Sequence, residues 1–75
     1  MKEEVLRIAE AYQKTVIERI NQLLELDAIQ YTNLGSESTK AEKLEVKKNS
    51  RIIYRAIKDL DLDTGKLLLQ HQDGY

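Results

Sequence analysis

The feature that most constrains the fold is a periodic apolar pattern in residues 5–26. Apolar side chains recur there at steps of three and four residues, while the opposite side is charged or polar. This spacing places the apolar side chains on one side of an α-helix. They cover about half of the helix surface, which is more than a single partner helix can bury. The pattern predicts a first helix over residues 2–33, with Tyr12 in its buried face. Asp27 and the polar residues 30–33 give an alternative, in which the helix ends or becomes irregular near Asp27.

A second helix is predicted over residues 40–60, after a loop at residues 34–38. Its start is indicated by Thr39 followed by Glu42 three residues later, a capping box in which each side chain binds a free backbone N–H. Its apolar side is narrower and is interrupted by Asn49 and Ser50. We therefore expect the second helix to pack through a less purely hydrophobic surface.

The C-terminal stretch, residues 61–75, is too short and irregular for periodicity to decide its structure. Gly65 is expected to adopt a positive φ angle in a tight turn, as Gly35 is at the end of the first helix. Residues 67–69 are then either a strand of a small hairpin or a short third helix. Either version must pack on the other helices, because an isolated hairpin is marginal in water. Residues 70–75 are expected to be frayed.

These elements predict an all-α chain with one domain, residues 1–75. Its centre is an antiparallel two-helix hairpin, with the short C-terminal segment packed on it. The surplus apolar surface of the first helix is expected to be covered by residues 67–69, by a second copy of the chain, or by both. We predict a homodimer, with a four-helix bundle of two hairpins as its form. The predicted association surface consists of Leu6, Ile17 and Leu24.

Composition excludes several classes of protein. The chain has no cysteine, so it has neither disulfides nor thiolate metal sites. A small cysteine-free chain favours a cytoplasmic location. The 12 basic and 13 acidic residues leave a net charge of −1, which argues against a dedicated polyanion-binding protein. No apolar run approaches the roughly 18 residues that span a bilayer, and the mixed charges of the first helix disfavour binding to an anionic membrane surface.

The strongest local charge asymmetry lies in the second helix, where residues 40–58 hold seven basic and two acidic residues. Helical spacing places most of the cations opposite the apolar side. A basic stripe of this kind can follow a phosphate backbone, and a neighbouring tyrosine can stack on a base. The alternative is a solvated face that pairs with acidic residues. The candidate nucleic-acid contacts are Lys47, Lys48, Arg51, Tyr54, Arg55 and Lys58.

No pattern in the chain predicts catalysis or a bound cofactor. Three alternating carboxylates resemble the start of a calcium-binding loop; they are Asp59, Asp61 and Asp63. The resemblance fails because Gly65 is one position late and Gln70 stands where a glutamate is needed. His71 is the only histidine, so a transition-metal site lacks its other ligands. We predict no catalytic, cofactor or metal site.

The sequence therefore favours a non-catalytic helical module that self-associates and binds an unidentified protein partner. The alternative is a small nucleic-acid-associated accessory or regulatory protein that uses the basic stripe. A small inhibitor that acts by covering a partner's surface is also compatible with a short, charged, cysteine-free chain. The wide apolar surface of the first helix favours the first interpretation.

Overall fold

The structure is a computed structural model that describes residues 1–73. Its regular secondary structure is entirely helical in this part of the chain, which confirms the predicted all-α class. The four helices, in chain order, are α1 (Lys2–Ala9), α2 (Val16–Thr32), α3 (Lys40–Leu60) and α4 (Leu62–Asp73). The expected fraying of residues 70–75 is wrong as far as residue 73, and residues 74 and 75 lie outside the described part.

The predicted continuous helix over residues 2–33 is wrong, because the chain leaves the helical conformation after Ala9 and resumes it at Val16. Thr15 is the N-cap of α2: it has extended backbone angles, and its hydroxyl accepts a hydrogen bond of 3.2 Å from the backbone N–H of Glu18. This Thr-x-x-Glu arrangement satisfies an otherwise free donor at a helix start. It stabilises a new helix at a point where the apolar pattern continues without interruption.

Arg19 joins α1 to α2. Its guanidinium group donates hydrogen bonds to the backbone carbonyls of Ala9 at 3.1 Å and Lys14 at 3.2 Å. Ala9 is the last residue of α1, whose final carbonyls have no partner within the helix, and a cation there also interacts favourably with the helix dipole. The same guanidinium lies 5.5 Å from the centre of the Tyr12 ring, a cation–π distance. Arg19 is almost completely buried in this arrangement.

The break between α1 and α2 also changes the position of Tyr12. The predicted core position of this residue is wrong: its side chain is 78% exposed. The physical reason is that Tyr12 lies in the turn between the helices, so the helical spacing that placed it beside Ile8 and Val16 does not apply there.

Helix α3 is central to the packing, because α1, α2 and α4 all contact it. α2 runs antiparallel to α3, since Asp27 reaches Ser50 and Tyr54 while Gln30, one turn later, reaches Val46. The predicted extent of the second helix is confirmed, as is its N-cap: the Thr39 hydroxyl accepts from the backbone N–H of Glu42 at 3.1 Å. The buried apolar core comprises Val5, Ile20, Leu23, Val46, Ile53 and Ile57.

The C-terminal stretch forms a helix, the second of the two predicted alternatives. α4 runs back along α3 and packs on it, with no contact to α1 or α2 at the level of the backbone. The expectation that residues 67–69 cover the first helix is met only in part, by Leu68, which packs against the core cluster that includes Val5, Ile20 and Leu23. Leu67 points outward with 57% of its side chain exposed.

Neither described glycine has a positive φ angle, so the predicted left-handed conformations of Gly35 and Gly65 are wrong. Gly65 instead has a packing role. It is buried within α4, and a Cβ atom at this position would lie 2.1 Å from the Cα atom of Lys58. The absence of a side chain is what allows α4 to approach the backbone of α3.

Gly65→Ala is expected to lower the free energy of unfolding by about 2–3 kcal/mol, because a methyl group in this contact forces the backbones of α3 and α4 apart. Urea unfolding followed by circular dichroism measures the change. Gly35→Ala is the matched control: its Cβ meets no atom closer than 4.0 Å, so the same substitution is expected to stabilise the protein by about 0.4–1 kcal/mol. Equal effects of the two substitutions would contradict the close contact at Gly65.

Candidate interaction surfaces

An apolar stripe remains exposed along α2. It consists of Ile17, Leu24 and Tyr31, which are 71%, 36% and 46% exposed. Their spacing of seven residues keeps them on one side of the helix. Of the three residues predicted for association, the structure places Ile17 and Leu24 together in this stripe. Leu6 is also exposed but lies on a different helix, α1. We refer to Ile17, Leu24 and Tyr31 as the association stripe.

The described residues expose more large apolar side chains than they bury. Ten are more than a third exposed, whereas six apolar residues form the buried core. The total accessible surface is 5554 Å², compared with about 4,700 Å² for a compact monomer of this mass. The surface is therefore larger than average for this mass, and exposed apolar side chains contribute to it.

A buried polar cluster holds α2 against α3. The carboxylate of Asp27, almost fully buried, accepts hydrogen bonds from the hydroxyls of Ser50 at 2.5 Å and Tyr54 at 2.6 Å, and from the side-chain amide of Gln30 at 2.9 Å. The hydroxyl of Tyr31 lies 3.3 Å from that of Ser50. A buried carboxylate needs such donors, since an unpaired one is very costly. We refer to these residues as the Asp27 cluster.

The Asp27 cluster was not found from the sequence, where Asp27 and Gln30 suggest the end of a helix. The signal was present at Asn49 and Ser50, the polar interruption predicted in the apolar side of the second helix. Ser50 is completely buried, and it faces Asp27 because α2 and α3 are antiparallel. When two adjacent helices each have a polar residue on the buried side, these residues are expected to form a hydrogen bond with each other.

The hydroxyl of Tyr54 belongs to this cluster, and its ring is partly buried. Burial raises the pKa of Tyr54 well above its usual value of 10.0, and the hydrogen bond to the Asp27 carboxylate raises the pKa further. Both effects favour the protonated phenol, which donates to Asp27. Its ring packs against the buried core. The side chain predicted to stack on a base is therefore engaged in holding α2 and α3 together.

The raised pKa of Tyr54 predicts a loss of stability in alkaline solution. The folded state keeps the phenol protonated above pH 10, whereas the unfolded chain releases the proton near its ordinary pKa of about 10. The contribution of Tyr54 is therefore complete below about pH 10 and declines as the pH rises above it. Tyr54→Phe is expected to cost about 1–2 kcal/mol near neutral pH, and this difference from the unaltered protein is expected to shrink at about pH 11.

Urea unfolding of both proteins at a series of pH values measures that difference. All other side chains are the same in the two proteins, so their contributions cancel in the comparison. A destabilisation by Tyr54→Phe that is the same at every pH would contradict the proposed protonation link.

The five cations of the predicted stripe all remain exposed after folding; they are Lys47, Lys48, Arg51, Arg55 and Lys58. α4 packs beside them and divides their surroundings into two shallow clefts. One of about 470 Å³ is lined by Arg51, Arg55 and Lys58 together with Asp59, and one of about 260 Å³ is lined by Lys47, Lys48 and Arg51. The stripe is a positive surface beside α4, with one carboxylate at its edge.

Asp61, in the turn between α3 and α4, binds the backbone of the following helix. The Asp61 carboxylate accepts from the N–H of Thr64 at 3.4 Å, in the first turn of α4. Within residues 1–73, no group of three or more potential ligands among His, Cys, Asp and Glu is arranged to hold a metal ion. None of the helices described combines the length and the apolar character needed to cross a membrane.

Comparison of the chain with protein-family models, with curated proteins and with solved structures finds no match. We therefore infer the function of the protein from the surfaces described above.

Proposed function

We propose that this protein is a small, non-catalytic interaction module that self-associates through the association stripe of α2. A symmetric dimer would place the stripe of one copy against the stripe of a second, in the self-complementary arrangement typical of two-fold interfaces. The absence of cysteine is consistent with a reducing, cytoplasmic setting. The form of the dimer differs from the predicted bundle of two hairpins, because each chain already contributes four helices.

The observation that carries this proposal is the location of α4. The surplus apolar surface of the first helix needs a cover, and residues 67–69 were one of two candidates for it. α4 packs on α3 and leaves Ile17, Leu24 and Tyr31 exposed. A second copy of the chain is therefore the remaining candidate for covering this apolar surface. An apolar stripe of this length on a small protein is typical of a contact surface.

Sedimentation equilibrium over a range of concentrations tests the proposal. The unaltered protein is expected to have twice the monomer mass of 8.7 kDa, and Ile17→Glu is expected to shift it to the monomer at the same concentrations. A glutamate within an apolar interface would lose its hydration without gaining a partner. Because Ile17 is largely exposed in the monomer, the substitution is expected to leave the fold intact.

Ile29→Glu is the matched control, because Ile29 is also on α2, is 53% exposed and lies outside the association stripe. This variant is expected to remain dimeric. A monomer at every concentration for the unaltered protein would overturn the proposal, and so would equal effects of the two substitutions.

Nucleic-acid binding is the second candidate function, favoured by the exposure of all five cations of the basic stripe. Such binding would depend on charge and shape, because Tyr54 is engaged in the Asp27 cluster and the first turn of α3 has few side chains suited to base recognition. Asp59 in the same cleft and the net charge of −1 weaken the attraction. For these reasons we place this function second.

Electrophoretic retardation of random-sequence DNA and RNA at low salt tests the second function. Lys48→Glu/Arg55→Glu is expected to abolish any retardation, because it reverses two charges within the stripe. Lys2→Glu/Lys66→Glu, which makes the same change in net charge on α1 and α4, is expected to have a much smaller effect. Absence of retardation for the unaltered protein would exclude this function at that salt concentration.

A further inference from the structure

A groove runs along α3 between the end of α2 and the end of α4. It exists because α2 and α4 both pack on α3 while their backbones stay apart. Two adjoining clefts of about 380 and 400 Å³ make up the groove, and both are lined by Tyr31 and Lys47. The floor extends along α3 from residue 40 to residue 54, a distance of about 20 Å.

The lining of the groove combines apolar walls with a row of cations. Leu34, Leu44 and Leu68 contribute apolar surface, with the rings of Tyr31 and Tyr54. The cations are Lys40, Lys43 and Lys47, all of them exposed. Their steps of three and four residues keep them on one side of α3, within about 10 Å along its axis. Among the side chains that the structure describes, none that lines either cleft is acidic.

We propose that this groove binds an acidic amphipathic helix of a partner protein. The apolar side of the partner helix would cover the leucines and tyrosine rings, while carboxylates spaced at three and four residues would face the three lysines. Helix-in-groove recognition uses this combination of apolar contacts and flanking charges. The inference goes beyond self-association, because the lysines and leucines of the groove take no part in the association stripe; of the stripe residues, Tyr31 also lines the groove.

The positive charge of the groove is also compatible with a small anion or a nucleic acid, but its shape favours a helix. It is open and about four helical turns long, whereas sites for small molecules enclose most of the ligand surface. A nucleic acid would be drawn to Lys48 and Arg55, which line neither of the two clefts. The predominantly apolar lining also gives a phosphate backbone little to contact.

Fluorescence anisotropy with a synthetic peptide tests the proposal. The probe is a labelled peptide of about 16 residues, built from leucine at helical spacing, glutamate on the remaining faces and alanine. It is expected to bind the unaltered protein, and Lys43→Glu/Lys47→Glu is expected to weaken binding at least about tenfold. Lys48→Glu/Arg55→Glu is the matched control: it reverses two charges of the same helix outside the groove and is expected to change the affinity much less.

A charge-swap experiment separates specific pairing from general attraction. The same peptide with lysine in place of glutamate is expected to bind Lys43→Glu/Lys47→Glu more tightly than the unaltered protein. A version with glutamine in place of glutamate is expected to bind weakly to both. Circular dichroism of each variant verifies that the helical fold is retained.

Several results would overturn the proposal. They are absence of peptide binding, equal binding of the glutamate and glutamine peptides, and equal effects of the two double substitutions. Displacement of the peptide by a short oligonucleotide at lower concentration would assign the surface to nucleic acid instead. Loss of the dimer in Lys43→Glu/Lys47→Glu would assign the groove to a second copy of the chain. A retained dimer that does not bind the peptide would contradict this inference and leave the self-association proposal standing.

Discussion

The hydrogen bonds to the buried carboxylate of Asp27 determine how the rest of the molecule is arranged. Three donors, from Ser50, Tyr54 and Gln30, converge on this one group between α2 and α3. Apolar packing alone tolerates small shifts of one helix along another, whereas these bonds are satisfied in only one register. That register places Leu23, Ile53 and Ile57 in the core, and it leaves Ile17 and Leu24 exposed on α2.

Helix α3 has a different kind of contact on each side. On one side the Asp27 cluster and the apolar core join it to α2 and α1; on the other, α4 approaches its backbone through Gly65. Because α2 and α4 are positioned by these separate contacts, neither is required to touch the other. The groove over α3 is a direct consequence, and its lysines remain exposed because no helix covers them.

The two proposed surfaces differ in the physical effect on which they depend. The association stripe is apolar, so its contribution comes from removing hydrocarbon from water and depends little on salt. The groove adds charge complementarity, which increases the rate of association and makes binding sensitive to ionic strength. The two surfaces meet at Tyr31, which belongs to the association stripe and also lines both clefts of the groove, so a second copy of the chain and a partner helix would share this side chain.

The sequence by itself determined the features that depend on neighbouring residues. The all-α class, the extent of α3 and the Thr39 cap follow from periodicity and capping, which act within a few residues. The start of α2 was readable in the same way, because Thr15 and Glu18 repeat the pattern of Thr39 and Glu42. It was missed because the apolar spacing continues through the break and no glycine or proline marks it.

Only the tertiary structure decided the features that depend on residues distant in sequence. Asp27 meets Ser50 across 23 positions, and Arg19 binds the end of α1 from within α2. Position 65 needs glycine because the backbone of α3 lies too close for a side chain, and not because a turn requires it. The surface that α4 covers was likewise undecidable from residues 67–69, because three leucines fit any apolar face equally well. The choice among such faces depends on the packing of the whole chain, a property that no local pattern contains.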